Sequence, residues 1–441
     1  MRVRRGASSA DAPALAVLFL VNVLNYYDRQ ALGALVEPLR HQFHLGDTQL
    51  AAIPTLATIV YAVAGVPLGR LADRASRKRL LAAGVAVWAG LTGFGALASS
   101  FAMLLVSRLG VGVGEAVCAP AATSWIADVV PAHRRARAMA GFMMAVPVGV
   151  MLSLAVSGPV AQAWGWRAAL TVAALPGVVL APALLRLREP ARAAGPAGAS
   201  SSLAFLRVPA FWWIAASGAI VNSALYSFSY FLPAFLTRTH GLTVGQAGLW
   251  TGVGSGAAGI LGAALVAFRG DRAAGGRPGG RMRLAAGAAA LAVPPMALAI
   301  HMPAGHAAAA LSLALAGYAL LQTYYGLIYA ALHDVVGPAM RGTAMSVYLL
   351  VTCLCGAAFG PLLTGGLSDH FARALAGAAA VTEAAKAAGL RQAMYAIPAL
   401  AALLAVALWA GSPKKGSDAI FSPRQGTMET TPEKWIRKPW N

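Results

Sequence analysis

Gly69-Arg-Leu-Ala-Asp73-Arg74-Ala-Ser-Arg77-Lys78-Arg79 gathers six charged side chains into eleven residues, and a long apolar run stands on either side of it. An apolar run of about 20 residues is enough for one helix to cross a bilayer. So short a connection returns the chain antiparallel and leaves the charges in water at one face. In such a turn one carboxylate can hydrogen-bond a neighbouring helix N-terminus, and the basic residues around it can pair with acids at other helix ends. Asp73 is therefore expected to act as a latch; the plain alternative for Asp73 and Arg74 is a solvated charge run.

The pattern around this turn repeats along the chain. Of the 441 residues 58% are hydrophobic and only 11% charged, against about 25% charged in soluble domains, so the expected class is an all-α membrane protein. Apolar runs fall at about 13–38, 50–70, 79–98, 101–129, 137–160 and 167–187, and again at 209–237, 244–268, 284–302, 306–333, 341–368 and 389–410. Twelve spans are thus expected in two six-helix bundles, 1–187 and 209–410. Residues 188–208, rich in Ala, Gly, Pro and Ser, form a linker between them, and 411–441 a polar tail without helical periodicity. The Ala-rich stretch 371–392 reads equally as an external helix or a long loop.

Charge placement sets the orientation. With the amino terminus in the cytoplasm, 27 of the 35 Lys and Arg residues fall on the cytoplasmic side and six on the other, while Arg29 and Arg108 lie within spans. That bias follows the positive-inside rule and puts both termini in the cytoplasm. The net charge of +20 could suit nucleic acid, but the positive residues sit in short clusters between apolar runs rather than on one basic face with exposed aromatics. Cys118, Cys353 and Cys355 lie in apolar runs and form no disulfide framework, and no histidine has metal-ligand spacing. Nor is there a plausible nucleophile and base pair, so neither an enzyme, a metal nor a cofactor is expected.

The turn matches the G-x-x-x-D-R-x-x-R-[KR] loop of the major facilitator superfamily, with Ser76 where many members have glycine, and Gly270-Asp271-Arg272 resembles a worn copy in the second half. Further stretches narrow the likeness: Asn25-Tyr-Tyr-Asp28-Arg29, Arg108-Leu-Gly-Val-Gly-Val-Gly114-Glu115-Ala, Ile126-Ala-Asp128, Pro147-Val-Gly149 and Trp166-Arg167. Together they make residues 20–190 resemble the spinster-type transporters, with the organic anion:proton symporters as the alternative relatives. The resemblance implies two pseudo-symmetric bundles, a cytoplasmic gate at Gly69, Asp73, Arg74, Arg77 and Asp128, and proton-coupled transport of lysolipid or sphingoid-like cargo. A sugar-acid symporter or drug exporter is the alternative function, with a non-transporting receptor and an intramembrane enzyme behind. The expected setting is a monomer among the lipids of a plasma membrane, a bacterial inner membrane by composition.

Four charges inside apolar runs need a reason, since each costs about 2.5–3.5 kcal/mol at bilayer depth on insertion scales. Arg108 and Glu115 are seven residues apart and share one helix face, whereas Asp28 and Arg29 point about 100° apart. Two acids and two bases can neutralise one another as a buried network locking span 1 to span 4. The functional reading makes Asp28 and Glu115 the proton carriers, with Arg29 and Arg108 as partners. The superfamily's arrangement lets spans 1, 4, 7 and 10 line a central cavity, adding Asn25 and Tyr26, then Asn222, Tyr226 and Tyr230, then Gln322, Tyr325 and Tyr329. A cavity charged on one side and aromatic on the other suits an amphipathic substrate. Gly110-x-Gly112-x-Gly114 follows no strand and reads as a helix-packing face rather than a nucleotide loop.

Overall fold

The computed structural model describes residues 12–190, 203–274, 279–336 and 341–412, and among them every regular element is helical. The first half comprises α1 (Ala12–Ala34), α2 (Val36–Phe43), α3 (Asp47–Arg74), α4 (Arg77–Ala96), α5 (Phe101–Glu115), α6 (Cys118–Val129), α7 (Ala132–Met143) and α8 (Ala145–Arg186). The second comprises α9 (Pro209–His240), α10 (Val244–Ala274), α11 (Gly280–His301), α12 (Ala307–Val335), α13 (Arg341–Thr352), α14 (Phe359–Ala376), α15 (Glu383–Ala393) and α16 (Ala396–Ala410).

Ten stretches are long and apolar enough to cross a membrane, from Asp47–Ala72 to Glu383–Ala410. One of them, Gly141–Arg186, was expected as two spans with a loop between; the separation is a bend at Gly165, whose φ of 83° suits only glycine comfortably. The expected fourth span is likewise two helices, α5 and α6, broken at Ala116–Val117 just past Glu115. Between 371 and 392 the chain is mostly helical: α14 runs on to Ala376, and Thr382 caps α15 by accepting from Ala385 N. Most of the linker and tail, and the side chains of Asp73 and of Gly270-Asp271-Arg272, lie outside the described residues.

Two seams hold the site in place. α8 lies against α1, where Gly149 comes so close that a Cβ would meet Val23 O at 2.6 Å. Towards the second half α8 packs on α10, where a Cβ on Gly158 would be 3.0 Å from Gly248 Cα. Small residues at both seams bring backbones into contact, as tight packing in a bilayer requires. α9 is enclosed nearly all round, with Phe211, Phe228, Phe231 and Phe235 buried, as expected of a helix apolar on every face.

Candidate functional site

The four charges predicted from the sequence meet between α1 and α5. Asp28 is buried on α1 and accepts hydrogen bonds from Arg108 Nη1 at 2.8 Å and from Thr92 Oγ1 of α4. Its neighbour Arg29 turns the other way and meets Glu115 Oε2 through Nε at 3.4 Å. Adjacent residues on α1 are therefore bound two turns apart on α5, each to a charge of opposite sign. The 100° step per residue along α1 and the 10.5 Å rise over seven residues of α5 make this crossed pairing possible.

The two pairs differ in how fully they are satisfied. Both oxygens of Asp28 are bonded, whereas Glu115 Oε1 has no partner, and Nε and Nη2 of Arg108 are buried without one. Unmet donors and acceptors of this kind are costly in a dry interior. The Arg29 guanidinium carbon lies over Tyr61 of α3, 4.2 Å from the ring centre, and 5.8 Å from the ring centre of Tyr26. Cation–π contact thus supplements its long ion pair.

Across from these charges stand Tyr226 and Tyr230 of α9. With Asp28, Arg29, Arg108 and Glu115 they border a cavity of about 40 Å³, room for about three or four waters at roughly 10–15 Å³ each. Tyr230 donates to Leu50 O at 2.8 Å and so ties α9 to α3. The remaining predicted lining residues do not border this cavity. Asn222 accepts from Tyr325 Oη at 3.2 Å; Tyr325 and Tyr329 belong to an edge-to-face ring cluster continuing to Tyr348; and Gln322 donates to Tyr318. Asn25 is buried with Nδ2 unpartnered. α12 is tied to α9 by aromatic side chains: Tyr318 stacks on Phe228, Tyr324 bonds Ser217 and Tyr325 bonds Asn222.

The turn between α3 and α4 is anchored at Arg77. This side chain is completely buried; its Nη1 donates to Asp128 at 2.5 Å and to Ser124 at 3.1 Å, and Nη2 to Pro190 O at 3.1 Å. Glu189 accepts from Arg77 N at 2.8 Å and Ser76 Oγ at 2.5 Å. Burial by itself would raise the Glu189 carboxyl. Hydrogen bonds from Ser76, from the backbone of Arg77 and Lys78 and from the Arg77 guanidinium instead hold it below its ordinary value. Ser76, at the usual glycine position, caps α4 by accepting from Arg79 N. Arg74 is exposed, and Gly69 faces only Pro120.

At the other end of α3, about 42 Å away by helix rise, a second network joins the two halves. Arg238, near the end of α9, grips Asp47 with two bonds of 2.7 Å and Glu37 with one of 2.6 Å. Arg40 pairs with Glu37 and with Glu383 of α15, and Ser368 of α14 donates to Asp47. Asp369 caps α3 by accepting from the backbone N–H groups of Asp47 and Thr48. Sequence reading found Arg40 and Arg238 only as charges of the minority side and missed Glu37, Asp47, Thr92, Tyr61 and Glu189. The pairing of Asp47 with Arg238 spans 191 residues, and no local spacing carries it.

A family profile described as Major Facilitator Superfamily matches residues 18–361. An MFS-type efflux pump of Mycolicibacterium smegmatis is 34% identical over 375 residues, covering 83% of this chain and 86% of the pump. Protein spinster homolog 1 of Homo sapiens is 30% identical over 394 residues, 81% of this chain and 73% of that protein. Among solved structures, a bacterial homolog of the human lysosomal transporter spinster, in an inward-facing and occupied conformation, superposes with a TM-score of 0.81 at 26% identity, covering 92% of this chain and 97% of that one.

Proposed function

The chain belongs to the Major Facilitator Superfamily, among its spinster-like transporters, and from that premise we propose that it is a proton-coupled secondary transporter of an amphipathic organic molecule with an anionic or zwitterionic head. It is a transporter and not an enzyme, as its relatives are. The observation that carries the proposal is the pair of crossed ion pairs, Asp28–Arg108 and Arg29–Glu115, beside Tyr226 and Tyr230. Buried charges held in a polytopic helix bundle are the usual markers of proton and substrate pathways.

In this reading the ten apolar stretches become twelve spans, α8 counting twice across Gly165 and α1 once, its polar centre being the site itself. The excess of Lys and Arg on one side supports cytoplasmic termini, and the proposed setting is a plasma membrane. The Arg238 network then closes the outer end. The inner half of α3 exposes Val63 and Val66, and open space surrounds Gly65. The cycle runs through the acids. A proton on Glu115 or Asp28 frees its arginine, which turns to an anionic group of the cargo, and release of the proton restores the pair.

Asp28→Asn in proteoliposomes is expected to abolish proton-driven uptake while folding and yield stay normal; wild-type coupling in that variant sinks the mechanism. A second reading, transport of a small organic acid, rests on the unpartnered Nε and Nη2 of Arg108, which match a carboxylate fork. A thermal-shift screen of lysolipids, sphingoid bases and sugar acids separates the two, since stabilisation follows affinity.

A further inference from the structure

We propose that a groove at the start of α9 binds the head of an anionic phospholipid, at a site separate from the transport cavity. The groove, of about 450 Å³, is bordered by Arg207, Pro209, Trp212, Trp213 and Ala216. Residues 209, 212, 213 and 216 share one face of the helix by spacing. Pro209 and Ala216 are small, and the space they leave lies between and beside two large rings. Trp212 and Trp213 are 47% and 43% exposed, so the apolar faces are open to whatever surrounds the protein.

The position of Arg207 is built rather than incidental. It ends a short 3-10 turn, Leu203–Arg207, that is pinned to α9 at two points and closed by a backbone bond of its own. Phe205 is buried against Phe211 with ring centres 4.9 Å apart, Trp212 Nε1 donates to Leu206 O at 2.8 Å, and Val208 N donates to Phe205 O. The exposed guanidinium is left at the rim of the groove, and no described carboxylate pairs with it. Gly411, just past α16, packs against Trp213; a Cβ there would come within 2.7 Å of Trp213 Cβ. Beyond it Ser412 meets Arg283, whose guanidinium lies 6.0 Å from the Trp409 ring.

The height along the bundle identifies the occupant. α9 is 32 residues long, about 48 Å by helix rise. Arg207 therefore lies at the end opposite Arg238, level with the Arg77 latch, where an apolar bundle meets the headgroup layer. Tryptophan is the residue of that layer. A basic, aromatic recess there matches a phosphate with a glycerol and acyl chains attached, whereas free phosphate would use the arginine and leave the rings idle. None of the five bordering residues is acidic, so charge favours an anionic lipid over a zwitterionic one.

The test uses the full chain purified in detergent and titrated with phosphatidylglycerol or with phosphatidylcholine of the same acyl chains, bound lipids being counted by native mass spectrometry. Phosphatidylglycerol is expected to be retained more strongly than phosphatidylcholine. Arg207→Gln is expected to weaken it about fivefold, the equivalent of about 1 kcal/mol for one arginine at the surface. Trp213→Ala is expected to weaken both lipids. Equal retention of phosphatidylglycerol by wild type and Arg207→Gln overturns the proposal, as does equal binding of the two lipids by wild type. Full displacement by glycerol 3-phosphate also overturns it, by showing a simple anion site. Because transport is not the readout, failure here leaves the transport reading intact, and the converse holds.

Discussion

Replacing Arg238 by alanine removes three charge-assisted bonds at once, two of 2.7 Å to Asp47 and one of 2.6 Å to Glu37. Both acids are buried. Glu37 keeps Arg40 as a partner, while Asp47 keeps only the Ser368 hydroxyl among the described side chains. Breaking a buried pair from one side costs about 3–5 kcal/mol. On the proposed cycle the outer ends separate in the alternate access state and the three bonds break in the wild type too, so the loss falls on the closed arrangement alone. Taking the lower figure, about 3 kcal/mol, the balance moves roughly 150-fold towards outer opening. Spin labels at Gln42 and Ala384, exposed positions on either side of the Arg40–Glu383 pair, report it by double electron–electron resonance. The expected result is a longer, dominant distance in Arg238→Ala, with Arg238→Lys between it and wild type. An unchanged distance distribution in a folded Arg238→Ala protein would refute the assignment of this network as the outer closure.

Two further expectations follow from single contacts. Thr92→Val deletes the hydroxyl that donates to Asp28; a hydrogen bond to a charged group is worth about 1.5–3 kcal/mol, so the pH midpoint of uptake is expected to shift, and an unaltered profile counts against Asp28 as a proton carrier. Glu189 is held below its ordinary value, near 4.5, by its hydrogen bonds. Its stabilising effect is therefore present above that pH and is lost as pH falls through the lowered folded value. Thermal unfolding should show wild type losing more stability than Glu189→Gln between pH 7 and pH 4, and equal losses would remove Glu189 from the latch.

The features legible in the sequence were those written in local order. Apolar length and the positive bias gave the helices, and a seven-residue step put Arg108 and Glu115 on one face. Interhelical choice was not legible. The same pattern allows Asp28 to meet either arginine; it meets Arg108, and Thr92, one hydroxyl in an apolar run, joins the pair from a third helix. Of the gate residues read from the turn at 69–79 and from α6, Arg77 and Asp128 do meet, while the side chain of Asp73 lies outside the described residues. The other acid that meets Arg77, Glu189, sits in the linker, where a lone acid among basic residues was the available signal. Helical spacing gives a shared face for Gln322, Tyr325 and Tyr329, but that Tyr325 bonds Asn222 of α9 is decided by packing and was not legible.

The charge balance of the centre makes the proposed coupling quantitative. Asp28, Glu115, Arg29 and Arg108 sum to zero when all are ionised, and at bilayer depth a net charge is the costly state. A cargo bringing one negative charge leaves the site neutral only if one proton arrives with it, whereas a zwitterionic cargo with a proton leaves it at plus one. Uptake of a monoanion is thus expected to be electroneutral, its rate driven by the pH gradient and indifferent to membrane potential. Moving a net charge across 100 mV is worth about 2.3 kcal/mol, so an electrogenic cycle would respond strongly. Proteoliposomes clamped with potassium and valinomycin at zero and at −100 mV decide between them. Potential-dependent accumulation of a monoanion would mean that the two pairs do not titrate as a neutral unit, and the assignment of Asp28 and Glu115 as the proton carriers would fall with it.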